Sequence, residues 1–387
     1  MSSSLHCHSN FSLLDGFSSP EENLKRASEL GLKAVAITEH GEVTSWPYYS
    51  ELKDKYPDVK LLYGIEAYEC EDREVKDKNS KYWHLIIIAK NEAGRQAVNR
   101  LSTLGHLHGF YSRPRITKED IAKEDTNNLI ILSACLASRL SRTDDYDTCV
   151  KLVQEYKSLF PHYYLEVQAH ANGEQAKYNQ KIMRLANDTH TKVVVTNDVH
   201  AATKEDLHYQ DYFLRIAHDT ETAAEIYEGC YFMSRKEQHE VLDSQIGYDA
   251  AEWCINNTDE VADLCDYVDM PWHEPELPKI EIPPQYSNSI AYLKDLVKEG
   301  WKKRGIDKFD VEKQKIYRKR VDDELFVIEK KDFCDYFLIL VDYINWCKKN
   351  DVIVGPGRGS AAGSLVCYLI GITQLDSIKY ERTIPYH

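Results

Sequence analysis

Short apolar runs rich in β-branched residues recur along the first half of the chain and predict β-strands. The residues between them place apolar side chains at helical spacing, which predicts amphipathic helices. In residues 19–31, for example, Ser19 can cap a helix, Pro20 suits its first turn and Gly31 suits its end. The predicted strands cover residues 34–38, 60–68, 84–89, 129–134, 163–169 and 192–198.

Strands that alternate with helices indicate a parallel α/β arrangement, and several in series are compatible with a barrel. The pattern changes near residue 270, where a proline-rich stretch without helical period predicts a domain boundary between about 265 and 285. A long charged helical region follows at about 289–350, and a glycine-rich stretch comes after it. We therefore expect one domain at residues 1–272 and a second at 273–387.

The composition narrows the class of protein. A chain of 387 residues is long enough for two or three domains with substantial cores. Its net charge of −15 argues against a protein that coats nucleic acid through bulk charge, although a local basic groove is compatible with it. The ten cysteines contain no C-x-x-C pair and predict reduced thiols in a cytoplasmic protein. No apolar run approaches the roughly 18 residues that a membrane span needs.

Two pairs of metal-competent side chains share the same spacing. His6 and His8 are separated by one residue, and so are Asp198 and His200. In an extended strand such residues point to the same face, and two imidazoles on one face suit zinc, manganese or iron. One pair alone is weak evidence, because His-x-His runs also arise by chance.

Further ligand-type side chains, among them His40, Glu66 and Cys135, lie in or after predicted strands. In a barrel of parallel strands the C-terminal strand ends converge, so residues distant in sequence can share one pocket. His84 is irregular because it begins its predicted strand. Nine such side chains exceed the three or four ligands of one zinc ion and suit two or three ions. Clusters of this kind hold a hydroxide and clamp both oxygens of a phosphoester under displacement.

The segments around these residues resemble the polymerase and histidinol phosphatase (PHP) domain, in the version found in the bacterial DNA polymerase III alpha family. The resemblance covers roughly residues 3–275 and implies an α/β fold, a distorted seven-stranded β/α barrel with a trinuclear metal centre. Glu39 departs from the family, which commonly has Asp there. The matching segments are LHCHSNFSLLDG, AITEHG, GIEAY, WHLIIIAKNEAG, SACLAS and TNDVHAAT. The implied metal ligands are His6, His8, Asp15, His40, Glu66, His84, Cys135, Asp198 and His200.

An intact centre of this family implies metal-dependent 3′–5′ exonuclease activity on DNA 3′ ends, as used in proofreading. Two or three divalent ions (Zn, Mn or Fe) would activate the attacking water, and Asp15 or Asp198 would assist at the edge of the cluster. A phosphatase for small phosphomonoesters is the alternative within the same family.

The glycine-rich stretch from Gly355 to Ser364 matches neither the P-loop nor the dinucleotide fingerprint. Its surroundings resemble the start of the palm of the same polymerase family, which implies a partial α+β palm-like segment. The resemblance assigns Arg358, Gly359 and Ser360 to contact with nucleotide phosphate. A tight turn packed against a neighbour is the structural alternative.

The palm's paired catalytic aspartates find no counterpart after Gly359, where Asp376 and Glu381 are the remaining carboxylates. We therefore expect no polymerisation by this chain alone. It could be the N-terminal half of a split polymerase that docks on a second chain completing the palm, fingers and thumb. An exposed apolar face around residues 364–372 would support such a partner.

Two weaker features remain open. Residues 302–320 contain nine basic and three acidic side chains, which suit either a solvated helix pair or contact with a phosphate backbone. Trp46, Tyr48 and Tyr49 could stack on a splayed base or pack within a loop.

Overall fold

The computed structural model describes residues 2–77, 80–218, 227–270 and 277–381. The chain divides into two compact units, Met1–Met270 and Pro271–His387. Within the described residues, no helix combines the length and the apolar character that crossing a membrane requires. All ten cysteines are buried free thiols, as the sequence predicts.

The first unit contains eight strands and nine helices in its described residues. The strands are β1 (Ala34–Ile37), β2 (Lys60–Glu69), β3 (Trp83–Ala89), β4 (Phe110–Tyr111), β5 (Arg113–Ile116), β6 (Leu129–Leu132), β7 (Tyr163–Gln168) and β8 (Val193–Thr196). The helices are α1 (Pro20–Glu29), α2 (Trp46–Leu52), α3 (Glu92–Leu107), α4 (Lys118–Ala122), α5 (Tyr146–Leu159), α6 (Gly173–Thr189), α7 (Leu207–His218), α8 (Arg235–Ile246) and α9 (Tyr248–Leu264).

The sheet is mixed, so the prediction of a parallel arrangement is wrong at one strand. The β1/β2, β6/β7 and β7/β8 pairs are parallel, but β3 is antiparallel to both β2 and β6. A parallel crossover usually needs a connecting helix, and the described residues between β2 and β3 form none. The chain therefore returns beside β2 in the opposite direction.

The N-terminal segment 4–8 closes the sheet into a ring. On one side, Ser4 N donates to Ala34 O at 2.9 Å. On the other side, His8 N donates to Val199 O at 2.8 Å. The described ring therefore runs through segment 4–8, β1, β2, β3, β6, β7 and β8. These seven members confirm the expected distorted seven-stranded β/α barrel.

The strands of the ring are buried on both faces. All four residues of β6 are fully buried, and alternate residues belong to different apolar clusters. Ile131 joins the large cluster that contains the helices' apolar residues, whereas Ile130 and Leu132 join a second cluster with Leu5 and Ile86. Burial on both faces explains why these strands appear in the sequence as continuous apolar runs.

The second unit is helical in its described residues 277–381, so the expected α+β mixture is not found there. A strand needs a neighbour to pair its backbone, and this part of the chain offers none. Leu365 and Val366 are fully buried, so residues 364–372 do not form the exposed apolar face that would support a partner. The helices are α10 (Ser289–Lys303), α11 (Val311–Lys330), α12 (Cys334–Lys349) and α13 (Leu365–Leu369).

Glu69 at the end of β2 generates a testable prediction, because its carboxyl group is buried in the first unit. Burial raises the pKa of Glu69 to about 6, against the opposing effects of Tyr156, Arg139 and Lys118. The folded state therefore favours the protonated form. As the pH rises from below 4.5 to above 6, the free energy of unfolding should fall by about 2 kcal/mol in total on this account.

Urea unfolding of the wild type and the Glu69→Gln variant between pH 4.5 and 6.5 measures this effect. The variant should lack that part of the pH dependence, since its amide cannot ionise. Glu71→Gln is the matched control, because the Glu71 side chain is 61% exposed. Equal pH slopes for wild type and Glu69→Gln would show that Glu69 does not titrate in this range.

Candidate metal centre

The nine side chains predicted as metal ligands lie together at one end of the ring. They come from segment 4–8, from the loop after it, from strands β2 and β3, and from the residues that follow β1, β6 and β8. Sequence positions almost two hundred residues apart therefore meet at one site. The residues are His6, His8, Asp15, His40, Glu66, His84, Cys135, Asp198 and His200.

The reversed direction of β3 explains how His84 reaches this end. Tyr68 near the end of β2 pairs with His84 near the start of β3. Because the two strands are antiparallel, the start of β3 lies beside the end of β2. The antiparallel direction of β3 therefore explains two facts about His84: it begins a predicted strand, and it still lies at the same end of the ring as the other predicted ligands.

The carboxylate of Glu66 is fully buried and lies among four imidazole rings. Its Oε1 is 2.8 Å from His84 Nδ1 and 3.2 Å from His6 Nε2. Its Oε2 is 2.6 Å from His40 Nδ1 and 3.4 Å from His8 Nε2. A single carboxylate bridging this many nitrogen atoms is typical of a site that shares ligands between ions.

Two further carboxylates complete the acidic part of the site. Asp198 Oδ1 lies 3.0 Å from His6 Nε2 and 3.4 Å from His8 Nε2. Asp15 Oδ2 lies 2.8 Å from His40 Nε2 and 3.5 Å from His200 Nε2. Both carboxylates are more accessible than Glu66, with 13% of the Asp198 side chain and 22% of the Asp15 side chain exposed.

Cys135 supplies the thiol of the site. Its Sγ lies 3.5 Å from His84 Nδ1 and 3.8 Å from Glu66 Oε1. Burial, together with the charges of Asp198 and Glu66, raises the pKa of Cys135. A thiolate at this position therefore needs a cation beside it, as a metal ligand has.

The backbone at Asp198 has a φ of +49°, in the left-handed region. Asp tolerates this conformation better than most residues because its short polar side chain bonds locally. Such strained positions persist where the surrounding structure holds them, often at functional sites. Here the backbone turns immediately after β8, and Asp198 O accepts from His200 Nδ1 at 2.7 Å.

Donor atoms of seven of the nine residues, all except Asp15 and Cys135, form three groups in which the atoms lie within 4.8 Å of one another. Because His8, His40 and Glu66 each belong to two groups, the groups form one continuous cluster. The groups are His8, His40 and His200; His6, His8, Glu66 and Asp198; and His40, Glu66 and His84.

The arrangement fits a metal cluster for a physical reason. Seven buried atoms of this site form no hydrogen bond of regular geometry, and six of them instead lie within 3.5 Å of a histidine or carboxylate atom of the same cluster. Metal coordination would satisfy them, and nitrogen, oxygen and sulfur donors suit zinc, manganese or iron. The atoms are His6 Nε2, His8 Nε2, Asp15 Oδ1, His40 Nδ1, Glu66 Oε2, Asp198 Oδ1 and His200 Nε2.

The protonation states suit metal binding at His8 and at Glu66, whereas the neighbouring carboxylates, against the effect of burial, raise the pKa of His6, His40 and His200, so a metal would have to displace protons from those rings. Burial, together with the nearby His40 and His200, lowers the pKa of His8 to about 3, so its ring is neutral at neutral pH. Burial opposes ionisation of Glu66, but the imidazoles of His84 and His40 hold its pKa well below the ordinary value. Neutral imidazole and ionised carboxylate are the forms that bind metal.

A cavity of about 140 Å³ opens onto the cluster. Besides the metal-ligand candidates, its lining includes Leu136, Gln168, His170 and Tyr227. The ring of Tyr227 meets His200 edge-on, with 5.4 Å between the ring centroids. The reacting group of a substrate would enter here.

Of the two fully buried carboxylates behind the cluster, sequence reasoning missed Glu166 and noted Glu39 as a departure from the family without giving it a role. The sequence did offer a signal for Glu166, because it is the one charged residue within the otherwise uncharged run of β7. Of the two alternatives for the aromatic residues after His40, packing rather than base stacking applies to Trp46 and Tyr49, which are fully buried core residues. Tyr48 is 54% exposed and packs on Phe11.

In the second unit, Arg358, Gly359 and Ser360 lie on the surface. Gly359 has a φ of +57° and begins a 3₁₀ helix, Gly359–Gly363, followed by the five-residue α13. The predicted contact with nucleotide phosphate therefore stays a prediction.

Comparison with known families agrees with the site. Residues 4–170 match the PHP domain, so the first unit contains a domain of this class. Residues 291–386 match the bacterial DNA polymerase III alpha NTPase domain. The chain therefore combines a PHP domain with a segment of the bacterial DNA polymerase III alpha family.

Curated relatives cover nearly the whole chain. It is 36% identical to the DNA polymerase III subunit alpha of Aquifex aeolicus over 97% of its length and 34% of that protein. With the same subunit of Treponema pallidum it is 33% identical, over 97% of this chain and 32% of that protein. The chain thus spans about a third of the length of these relatives.

Two solved structures share only a limited likeness with the chain. An amidohydrolase from Chromobacterium violaceum has a TM-score of 0.38 at 13% identity, over 52% of this chain and 88% of its own. A putative metal-dependent phosphoesterase from Bifidobacterium adolescentis has a TM-score of 0.35 at 14% identity, over 51% of this chain and 87% of its own.

Removal of His8 should reduce the metal content of the protein. His8 belongs to two of the three donor groups, so His8→Ala should lose at least one ion per chain. Plasma mass spectrometry after loading with Zn²⁺ and desalting measures the stoichiometry. The control is His108→Ala, an exposed histidine outside the cluster. Equal zinc content in the two variants would contradict a role of His8 as a ligand.

Proposed function

We propose that the PHP domain is a metal-dependent phosphoesterase that removes nucleotides from the 3′ end of DNA. The observation that supports this proposal is the buried cluster of nine ligand-type side chains, in which seven donor atoms form no regular hydrogen bond. Two or three bound divalent ions would supply an activated water and neutralise charge on the phosphate. The relationship to DNA polymerase III alpha favours DNA as the substrate.

The chain's own residues have distinct parts in this proposal. The histidines, Glu66 and Cys135 hold the ions. Asp15 and Asp198 lie at the accessible edge of the cluster, where an ionised carboxylate can accept the proton of the attacking water. Burial raises the pKa of Asp198, but the imidazoles of His6 and His200 more than offset it and hold the carboxyl in its ionised form.

The size of the cavity bears on the form of the substrate. Its 140 Å³ is below the roughly 300 Å³ at which ordinary ligand pockets begin. It therefore accommodates the reacting phosphate and excludes a base pair. A 3′ terminal nucleotide has to be unpaired to enter, which fits action on mismatched ends.

A primer–template with a 3′ mismatch, incubated with the protein and Mn²⁺, tests the proposal. We expect stepwise loss of 3′ nucleotides, and Asp198→Asn should reduce the rate at least about 100-fold, as loss of a catalytic proton acceptor does. Asn adopts left-handed φ values as readily as Asp, so this variant preserves the turn after β8. Asp58→Asn, at an exposed residue, is the matched control.

Two results would contradict the exonuclease. One is DNA loss that persists in Asp198→Asn or in the presence of EDTA. The other is intact DNA together with stoichiometric metal and hydrolysis of a small phosphomonoester such as p-nitrophenyl phosphate. The second result would support the phosphomonoesterase alternative.

A second proposal concerns the helical unit, namely that it docks on polypeptide that completes the palm. On α12, Tyr336, Tyr343 and Trp346 lie on one helical face and are 46%, 61% and 59% exposed. Exposed aromatic residues in this arrangement are typical of a surface that another polypeptide covers. Phosphate contact by Arg358, Gly359 and Ser360 belongs to the same proposal.

The chain by itself should therefore not extend a primer. With a matched primer–template, Mg²⁺ and the four deoxynucleoside triphosphates, we expect no product longer than the primer, because two-metal nucleotidyl transfer needs paired carboxylates. A full-length relative run in parallel is the positive control. Extension by the purified chain would show that it holds a complete polymerase site.

A further inference from the structure

Two carboxylates outside the proposed ligand set lie directly behind the histidines of segment 4–8. Glu166 is in β7 and Glu39 follows β1, and both are fully buried. Within the described residues, neither forms an ion pair with a lysine or an arginine. A buried carboxylate without a cation needs strong hydrogen-bond donors, so its donors indicate its role.

Glu166 contacts His6 directly. Its Oε1 accepts from Thr196 Oγ1 at 2.6 Å and from Gln168 Nε2 at 3.0 Å, and it lies 2.9 Å from His6 Nδ1. Because Oε1 is the acceptor in both of these hydrogen bonds, it accepts in this contact as well, and the proton sits on His6 Nδ1. The other ring atom, His6 Nε2, then faces Asp198 and Glu66 without a hydrogen-bond partner.

Glu39 acts on His8 through a serine. Ser12 Oγ donates its one proton to Glu39 Oε2 at 2.6 Å. Having no second proton, the hydroxyl can only accept from His8 Nδ1, which lies 2.9 Å away. Ser9 holds Glu39 in place through its backbone N–H, at 3.0 Å, and its hydroxyl. His8 Nε2 is thereby left free and points into the cluster.

We propose that Glu166 and Glu39 are positioning residues that fix the protonated Nδ1 form of His6 and His8. Both rings then present Nε2 to the metal cluster. The inference rests on the proposed metal centre and deepens it, because it explains why two rings two residues apart offer the same nitrogen. Outer carboxylates of this kind orient ligand imidazoles and make them more basic.

If Glu166 and Glu39 position the two rings, they should strengthen zinc binding. Chelator competition for Zn²⁺, starting from metal-free protein, measures this affinity. Glu166→Gln and Ser12→Ala should each bind zinc about 10–100-fold more weakly than the wild type, the usual effect of losing such a partner. The matched controls are Glu174→Gln, at an exposed residue of α6, and Ser50→Ala, at a buried residue of α2. Both controls should keep wild-type affinity.

Long-range ¹H–¹⁵N spectra of zinc-loaded, ¹⁵N-histidine-labelled wild type measure the ring state directly. We expect His6 and His8 to show a proton on Nδ1 and zinc on Nε2, with assignments from His6→Gln and His8→Gln. In Ser12→Ala the Nδ1 proton of His8 should exchange faster, while that of His6 should not change. A general loss of folding would affect both rings alike.

The outcomes separate the inference from the metal proposal beneath it. A wild type that binds no zinc would overturn the metal centre itself. A wild type that binds zinc through Nδ1 of His6 or His8 would overturn the positioning role while leaving the metal centre intact. Wild-type affinity in both Glu166→Gln and Ser12→Ala would also overturn it.

Discussion

The buried carboxylate of Glu66 is the charge around which the first unit is organised. An uncompensated carboxylate in a protein interior is strongly destabilising, so a fold that buries one has to surround it with positive charge, metal or strong hydrogen-bond donors. Here the compensating groups are imidazoles from segment 4–8, from the residue after β1 and from the start of β3. The ring of strands brings these segments to one edge, and its closure by segment 4–8 is therefore a requirement of the site.

Backbone strain is concentrated at the same edge. Leu14, Ala134 and Asp198 have φ values of +61°, +63° and +49°, and each is a proposed ligand or directly precedes one. Left-handed residues with a side chain cost of order 1–2 kcal/mol each. The strain turns the chain sharply at the ends of the loops, so that Asp15, Cys135 and Asp198 face inward.

The sequence made the ligands recognisable because their spacing reflects strand geometry. The two i, i+2 pairs share a face in any extended segment, so their convergence needed no knowledge of the fold. His84 could not be placed by the same reasoning, since the antiparallel direction of β3 follows from long-range pairing. The roles of Glu166, in β7, and Glu39, after β1, could not be predicted for another reason: a carboxylate has many possible partners, and only the folded structure shows which side chain it contacts.

In the helical unit, the sequence indicated the family but not the secondary structure. The resemblance to the palm was recognised from residues around the glycine-rich stretch, and the family comparison confirmed it, yet the expected α+β mixture is not found in its described residues. Sequence identity reports which family a segment belongs to, whereas strand formation also depends on neighbouring backbone. The helices of this unit are joined by specific contacts. Glu324 is buried and accepts hydrogen bonds from Leu365 N at 3.0 Å and Val366 N at 2.9 Å, and these bonds fix the start of α13.

The extent of the functional unit follows from geometry more than from the family match. The PHP match ends at residue 170, but Asp198 and His200 lie beyond it, and β8 begins at Val193. Without β8 the ring would lack the strand end that pairs with segment 4–8, and His8 N would lose its bond to Val199 O. A truncation at residue 170 would therefore remove the proposed ligands Asp198 and His200. It would also remove the strand end that holds His6 and His8 in place. The proposed ligands therefore depend on the closed ring, because only its closure brings segment 4–8 beside the end of β8.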